Sequence, residues 1–152
     1  MSKIVLLENI RSLHNVGSVF RIADGAGWGK VILTGYTGTP PDRRIEKVSL
    51  GAEDFVEWEQ IADPIAAIQK YKDLNYEIIA LEQTSKSTQL FDFASDSPNQ
   101  LLILGNEVEG VSPDLLKLAD HHLEIPMHGQ KGSLNVSVAA GVAMYVLNNF
   151  DK

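Results

Sequence analysis

The stretch Leu101-Leu102-Ile103-Leu104-Gly105-Asn106-Glu107-Val108-Glu109-Gly110 decides how this chain is read. Its aliphatic run reads as a strand buried on both faces, as happens where helices cover both sides of a parallel sheet. Gly105 then admits a close approach to the backbone, at the strand end where α/β folds collect ligands. Glu107, just beyond, can accept hydrogen bonds from a positioned partner or can be a solvated acid in an ordinary turn.

Similar runs recur on either side. Residues 4–7, 31–33, 77–81 and 122–125 read as strands, with a further short one over 55–58. Helical patterns fall between them. Residues 15–26 place Val16, Val19, Phe20 and Ala23 on one face, and Gly27 and Gly29 stop the helix. Asp63 can cap a helix with Pro64 in its first turn and Ile65, Ile68 and Leu74 as its apolar face. Ser112-Pro113 opens another, running to Leu118, and residues 135–150 form an apolar closing helix rich in small residues. A Gly/Pro/Thr-rich loop over 35–41 leads into the basic stretch Asp42-Arg43-Arg44, and residues 83–89 and 126–132 are polar or loop-like. The alternation predicts an α/β fold, a mainly parallel sheet flanked by helices, as one domain over 1–152.

With 152 residues, 44% apolar and 22% charged, the composition is that of a globular domain. No apolar run reaches the roughly 18 residues needed to span a bilayer. The first residues meet Glu8 too soon for a signal-peptide core. The absence of cysteine excludes disulfides, thiolate metal sites and a cysteine nucleophile, and a cytoplasmic location is expected. Net charge is −7, which counts against a broad nucleic-acid-coating surface. A local basic patch remains compatible with it, because Arg11, Arg21, Arg43, Arg44, Lys47, Lys86 and Lys131 lie in or beside loops and site edges.

Two further polar segments accompany the first. Residues 9–21 follow a strand and enter a helix. There Asn15 is either an N-cap or a ligand contact, and Arg21, between Phe20 and Ile22, needs an ionic partner or a phosphate. Residues 125–137 put Gly129, Gly132, Ser133 and Asn135 ahead of the final helix. Ser133 or Asn135 can cap that helix; alternatively the loop's backbone grips an adenosyl group, with Met127 and Leu134 either beside the ring or in the core. No G-x-G-x-x-G after a strand, phosphate-binding G-x-x-x-x-G-K-S/T or G-x-S-x-G turn occurs. His121 and His122 are adjacent, and His14 and His128 isolated, so no metal site is expected.

In order, spacing and strand–loop–helix context, the three segments together resemble the motifs of the SpoU/TrmH family within the SPOUT methyltransferases. The residues that carry the resemblance are Asn15 with Arg21, then residues 104–110, then Ser133-Leu134-Asn135-Val136-Ser137. The resemblance implies an α/β knot, with a C-terminal deep trefoil knot that no periodicity reveals. It implies S-adenosyl-L-methionine as cofactor, methylation of a ribose 2'-hydroxyl in RNA, and a homodimer whose active sites are completed across the interface. A tRNA substrate is expected first, ribosomal RNA second, and a non-catalytic RNA-binding or assembly protein is the competing reading. By position, Asn15, Arg21, Glu107, Ser133 and Asn135 match catalytic and substrate-positioning residues, and Leu81, Gly105, Ile125, Met127 and Leu134 match cofactor-holding ones. Arg11, Arg43, Arg44 and Lys131 are candidate phosphate contacts. A guanidinium is a poor base, so Arg21 is expected to clamp phosphate and hydroxyl, with Glu107 orienting Arg21 or its own loop.

Overall fold

A computed structural model describes residues 2–148. Seven parallel strands form one sheet in the order β3-β2-β1-β6-β4-β7-β5. In chain order they are β1 (Ser2–Glu8), β2 (Lys30–Thr34), β3 (Glu57–Ile61), β4 (Glu77–Leu81), β5 (Thr88–Gln89), β6 (Asn99–Leu104) and β7 (His121–Glu124). The helices are α1 (Leu13–Ala26), α2 (Arg43–Ser49), α3 (Pro64–Asp73), α4 (Pro113–Leu118) and α5 (Val136–Leu147). The end of the closing helix expected over 135–150 reaches beyond the described residues.

The side chains of the central strands point alternately to the two faces. Val5, Leu7, Val31, Leu33, Leu102 and Leu104 pack with Val16, Val19, Phe20 and Ala23 of α1 and Ala140, Ala143, Met144 and Leu147 of α5. Ile4, Leu6, Ile32, Leu101 and Ile103 face the other way, onto Ala67, Ile68 and Tyr71 of α3 and Leu115 of α4. Both faces are covered, which is why β1 and β6 read as unbroken apolar runs. Side chains such as Phe20 and Ile68, fully buried, each contribute about 1.5–3 kcal/mol relative to exposure.

The helix ends follow local chemistry. Asp63 caps α3, accepting from Ile65 N, and Ser112 caps α4, accepting from Leu115 N, both with Pro in the first turn. Gly27 closes α1 with φ 73°, the left-handed region glycine enters without strain. Near that end the Trp28 indole donates to Met144 O (3.2 Å) and Asn148 Oδ1 (2.8 Å), while Asn148 Nδ2 donates to Ala26 O (2.6 Å). This clasp ties α1 to the end of α5.

Several expectations shift. The N-cap of α1 is Ser12, whose Oγ accepts from Asn15 N, so the side chain of Asn15 is released for other use. The basic stretch after Asp42 is a helix, α2, capped by Asp42 and anchored by Ile45. It is too short to show a period, and it crosses α1 so closely that a side chain at Gly17 would strike its backbone. The strand expected over 55–58 lies at Glu57–Ile61, leaving Phe55 82% exposed. Ile65 and Leu74 are exposed; the buried face of α3 is Ala67, Ile68 and Tyr71. Within the polar segment 83–89, Thr88–Gln89 joins the sheet edge.

Candidate active site

The site is built on the turn after β6. Asn106 and Gly110 exchange backbone hydrogen bonds (3.2 and 2.9 Å), and Asn106 Oδ1 accepts from Val108 N and Glu109 N, both at 2.9 Å. The chain doubles back so tightly that a Cβ at Gly105 would collide with the backbone of Gly110 and Val111. Gly105 is therefore required by the protein's own turn, a reason additional to ligand approach.

Three carboxylates stitch this turn to its surroundings. Glu8 Oε1, at the end of β1, accepts from Ser112 N (2.8 Å), and Glu82 Oε2, after β4, accepts from Val111 N (2.8 Å). Glu107 reaches the opposite way, accepting from Arg11 N (2.9 Å), Ser12 N (2.8 Å) and Asn15 Nδ2 (3.1 Å). Desolvation acts to raise the pKa of Glu107, but the Arg11 and Ser12 amides, its own amide and the Asn15 side chain outweigh it and hold the carboxyl below its ordinary value. Glu107 is therefore an anion at neutral pH, held by donors.

Asn15 extends the chain of contacts. Its Oδ1 accepts from Asn135 Nδ2 at 3.4 Å, while Asn135 Oδ1 caps α5 by accepting from Ser137 N (2.9 Å) and Val138 N (3.3 Å). Thus Glu107, Asn15 and Asn135, one from each polar segment, form a single hydrogen-bonded line.

Beside that line opens a pocket of about 470 Å³. All five residues matched to cofactor holding (Leu81, Gly105, Ile125, Met127 and Leu134) line it, with Glu107, Ser133 and Asn135. Glu82, Glu109 and Glu124 add to an acidic rim, and Gly132, with open space over its Cα, leaves backbone accessible beside the apolar side chains. Among the described residues no group of three or more His, Cys, Asp or Glu side chains could hold a metal ion.

Arg21 lies elsewhere. Six residues along α1 from Asn15, about 9 Å of helix, it is exposed and does not line the pocket. Among the described residues its side chain makes no hydrogen bond or ion pair, and Glu107, expected to orient Arg21 or its loop, holds Arg11, Ser12 and Asn15 instead. Of the candidate phosphate contacts, Arg11 sits beside Glu107 with its side chain exposed, and Lys131 is exposed next to Gly132 of the pocket wall. Arg43 is exposed on α2, whereas Arg44 is engaged by Asp42 at 3.1 Å.

Sequence reasoning passed over Asn9, Tyr36, Asn106, Glu8 and Glu82. Asn106 Nδ2 donates to Asn9 O (2.7 Å) and to Tyr36 Oη (2.8 Å), joining the turn after β6 to those after β1 and β2. The usable signal was positional: Asn9, Glu82 and Asn106 all stand just beyond a strand's carboxyl end. Asn9 has φ 52°, a conformation asparagine tolerates better than most residues.

The model of the SpoU rRNA Methylase family matches residues 2–145. The chain is 31% identical over 143 residues to the tRNA (guanosine(18)-2'-O)-methyltransferase of Aquifex aeolicus, covering 93% of this chain and 66% of that protein. Putative TrmH family tRNA/rRNA methyltransferases of Staphylococcus species are covered to 57–58%, so the chain spans less than two thirds of their length. Among solved structures, the AdoMet-bound rRNA methyltransferase from Sinorhizobium meliloti superposes with TM-score 0.89 at 25% identity, over 95% of this chain and 55% of that one. A structure reported for the 2-OH methylation of C/U34 on tRNA gives TM-score 0.80 at 25% identity, over 95% and 92% of the two chains. With the matched residues taking in all three polar segments and the pocket they enclose, this chain belongs to the SpoU rRNA methylase family.

Proposed function

We propose that the protein transfers a methyl group from S-adenosyl-L-methionine to a ribose 2'-hydroxyl of RNA, with tRNA as the substrate class. The observation that carries this reading is the line Glu107–Asn15–Asn135, which brings the three polar segments to one pocket. The pocket fits the cofactor on its own chemistry. Its volume is within the range of small-molecule sites, about 300–1,000 Å³. Its apolar walls and open backbone suit an adenosyl group, and its acidic rim suits a sulfonium and an ammonium.

When bound, the cofactor supplies a methyl group on a positively charged sulfur. The protein's task is then to orient an oxygen nucleophile in line and to manage one proton. Leu81, Gly105, Ile125, Met127 and Leu134 hold the cofactor. Glu107 and Asn135 fix Asn15 at the pocket edge, where its amide positions the ribose, and Ser133, which lines the pocket, contacts the substrate from the third loop. Arg21 clamps the RNA phosphate and the hydroxyl, the phosphate being the proton acceptor. Since the Arg21 side chain is exposed, unpaired among the described residues and absent from the lining of its own pocket, it serves the pocket of a second copy, which makes the homodimer part of the proposal. Val138, 53% exposed on α5, offers apolar surface for such a contact. Arg11, Arg43, Arg44 and Lys131 supply phosphate contacts.

The trefoil knot belongs to the same reading. It is supported by the sheet order, in which β6 lies between β1 and β4 while β7 lies on the far side of β4. A cytoplasmic location goes with it, because the RNA and the methyl donor meet there. Ribosomal RNA is the alternative substrate, favoured by the family's description and the Sinorhizobium relative. Nucleoside mass spectrometry of RNA from a strain lacking the gene should show the loss of one 2'-O-methyl nucleoside in tRNA. Loss from ribosomal RNA would move the substrate. An unchanged profile, with no saturable S-adenosylmethionine binding by calorimetry, would leave a non-catalytic scaffold.

A further inference from the structure

We propose that Tyr36 is a preset stacking platform for an unpaired RNA base beside the nucleotide that is methylated. The inference rests on the RNA substrate argued above. Tyr36 follows β2 at the sheet end that carries the pocket, and it is 60% exposed. Such exposure leaves much of the ring's burial energy unused in the free protein. Yet the side chain is held at its tip and at its root. Its Oη accepts from Asn106 Nδ2 (2.8 Å), and its backbone N–H donates to Asn9 Oδ1 (3.0 Å).

The group that holds the hydroxyl is the same Asn106 that builds the turn carrying Glu107 and lining the pocket. The ring is thereby registered to the reaction site, and little rotational freedom is left to lose when a flat partner lands on it. No aromatic or cationic side chain among the described residues takes that position. Arg11 is exposed on the neighbouring segment, joined to the same turn through Glu107. An exposed, anchored ring matches the needs of a single-stranded nucleotide, whose base stacks on an aromatic face while its phosphate meets a cation. Stacking reads no base edge, so Tyr36 contributes affinity and registration without base identity.

The test compares wild type with Y36L, Y36F and Y36W, using a fluorescent single-stranded RNA oligonucleotide for binding and unmodified tRNA transcript for turnover. Y36L should weaken RNA binding and raise the KM for tRNA by about 5- to 150-fold, the span of one lost base stack. Its kcat and S-adenosylmethionine affinity should stay within about twofold of wild type, a difference of under ~0.5 kcal/mol. Y36F and Y36W should keep most of the RNA affinity, because they keep a ring.

Three results would overturn the proposal: unchanged RNA affinity in Y36L, a loss in Y36F equal to that in Y36L, or dissociation of a dimer by Y36L. The second would assign the effect to the Asn106 hydrogen bond, and the third would make the ring an interface residue. If wild type binds RNA in a Tyr36-dependent way but transfers no methyl group, the catalytic reading falls and the platform stands. If wild type binds no RNA, both fall.

Discussion

Glu107 shows how an exposed acid becomes structural. Its two oxygens receive the amides of Arg11 and Ser12 and the side chain of Asn15, so the ionised form is the one the fold binds. Because its folded pKa is depressed, its contribution to stability is fully present above the unfolded value of about 4.3 and is lost as pH falls through the folded value. Glu107→Gln keeps one acceptor but turns an NH2 toward a backbone donor. We expect it to cost about 1 kcal/mol at neutral pH, modest because the site is partly solvated. Urea melts of both proteins should converge on acidification below about pH 4. A difference that persisted there would mean that charge is not what the site binds.

The start of α5 has two duties that one side chain performs. Asn135 caps the helix with its oxygen and touches Asn15 with its nitrogen. Asp is as good a cap as Asn, so Asn135→Asp should keep thermal stability within about 0.5 kcal/mol. Methylation should fall by at least about tenfold, since the donor is replaced by an acceptor. Equal losses of stability and activity would show that the cap alone matters. At the other end of α5, Trp28→Phe would leave Asn148 Oδ1 and Met144 O without their indole donor. We expect about 1–3 kcal/mol of destabilisation from the unpaired polar groups, measurable by chemical denaturation. Normal stability would show that the clasp is dispensable.

For the whole molecule, the proposed dimer is what a test must reach. If Arg21 acts on the partner's pocket, two impaired variants can repair each other. Arg21→Ala should be inactive alone, and Asn135→Asp should keep at most about a tenth of wild-type activity. Refolded together, they should recover about a quarter of wild-type activity, since half of the randomly formed dimers pair the two variants and each of those holds one intact site. No recovery would put Arg21 and Asn135 to work within one chain. Net charge −7 sharpens the point. An acidic protein cannot attract RNA over its whole surface, so the proposed function calls on a few local cations and on the proposed stacking at Tyr36 for capture.

Much of the architecture was legible in one dimension. Residues 4–7 and 101–104 announce strands because both sheet faces are covered, and covered strands must be apolar throughout. Asp63-Pro64 and Ser112-Pro113 announce helix starts because caps act over a single turn. The five cofactor-matched residues lie on one pocket because each sits at or just beyond a strand end or in the loop before α5. Pairing, however, belongs to tertiary structure. That Ser12 rather than Asn15 caps α1, that Glu107 binds Asn15 and not Arg21, and that Asn106 reaches Tyr36 are relations between residues up to 92 positions apart. Local propensity and periodicity carry no information about such partners. The backbone decides them when it brings the strand ends together, and hydrogen-bond geometry then selects among side chains only a few ångströms apart.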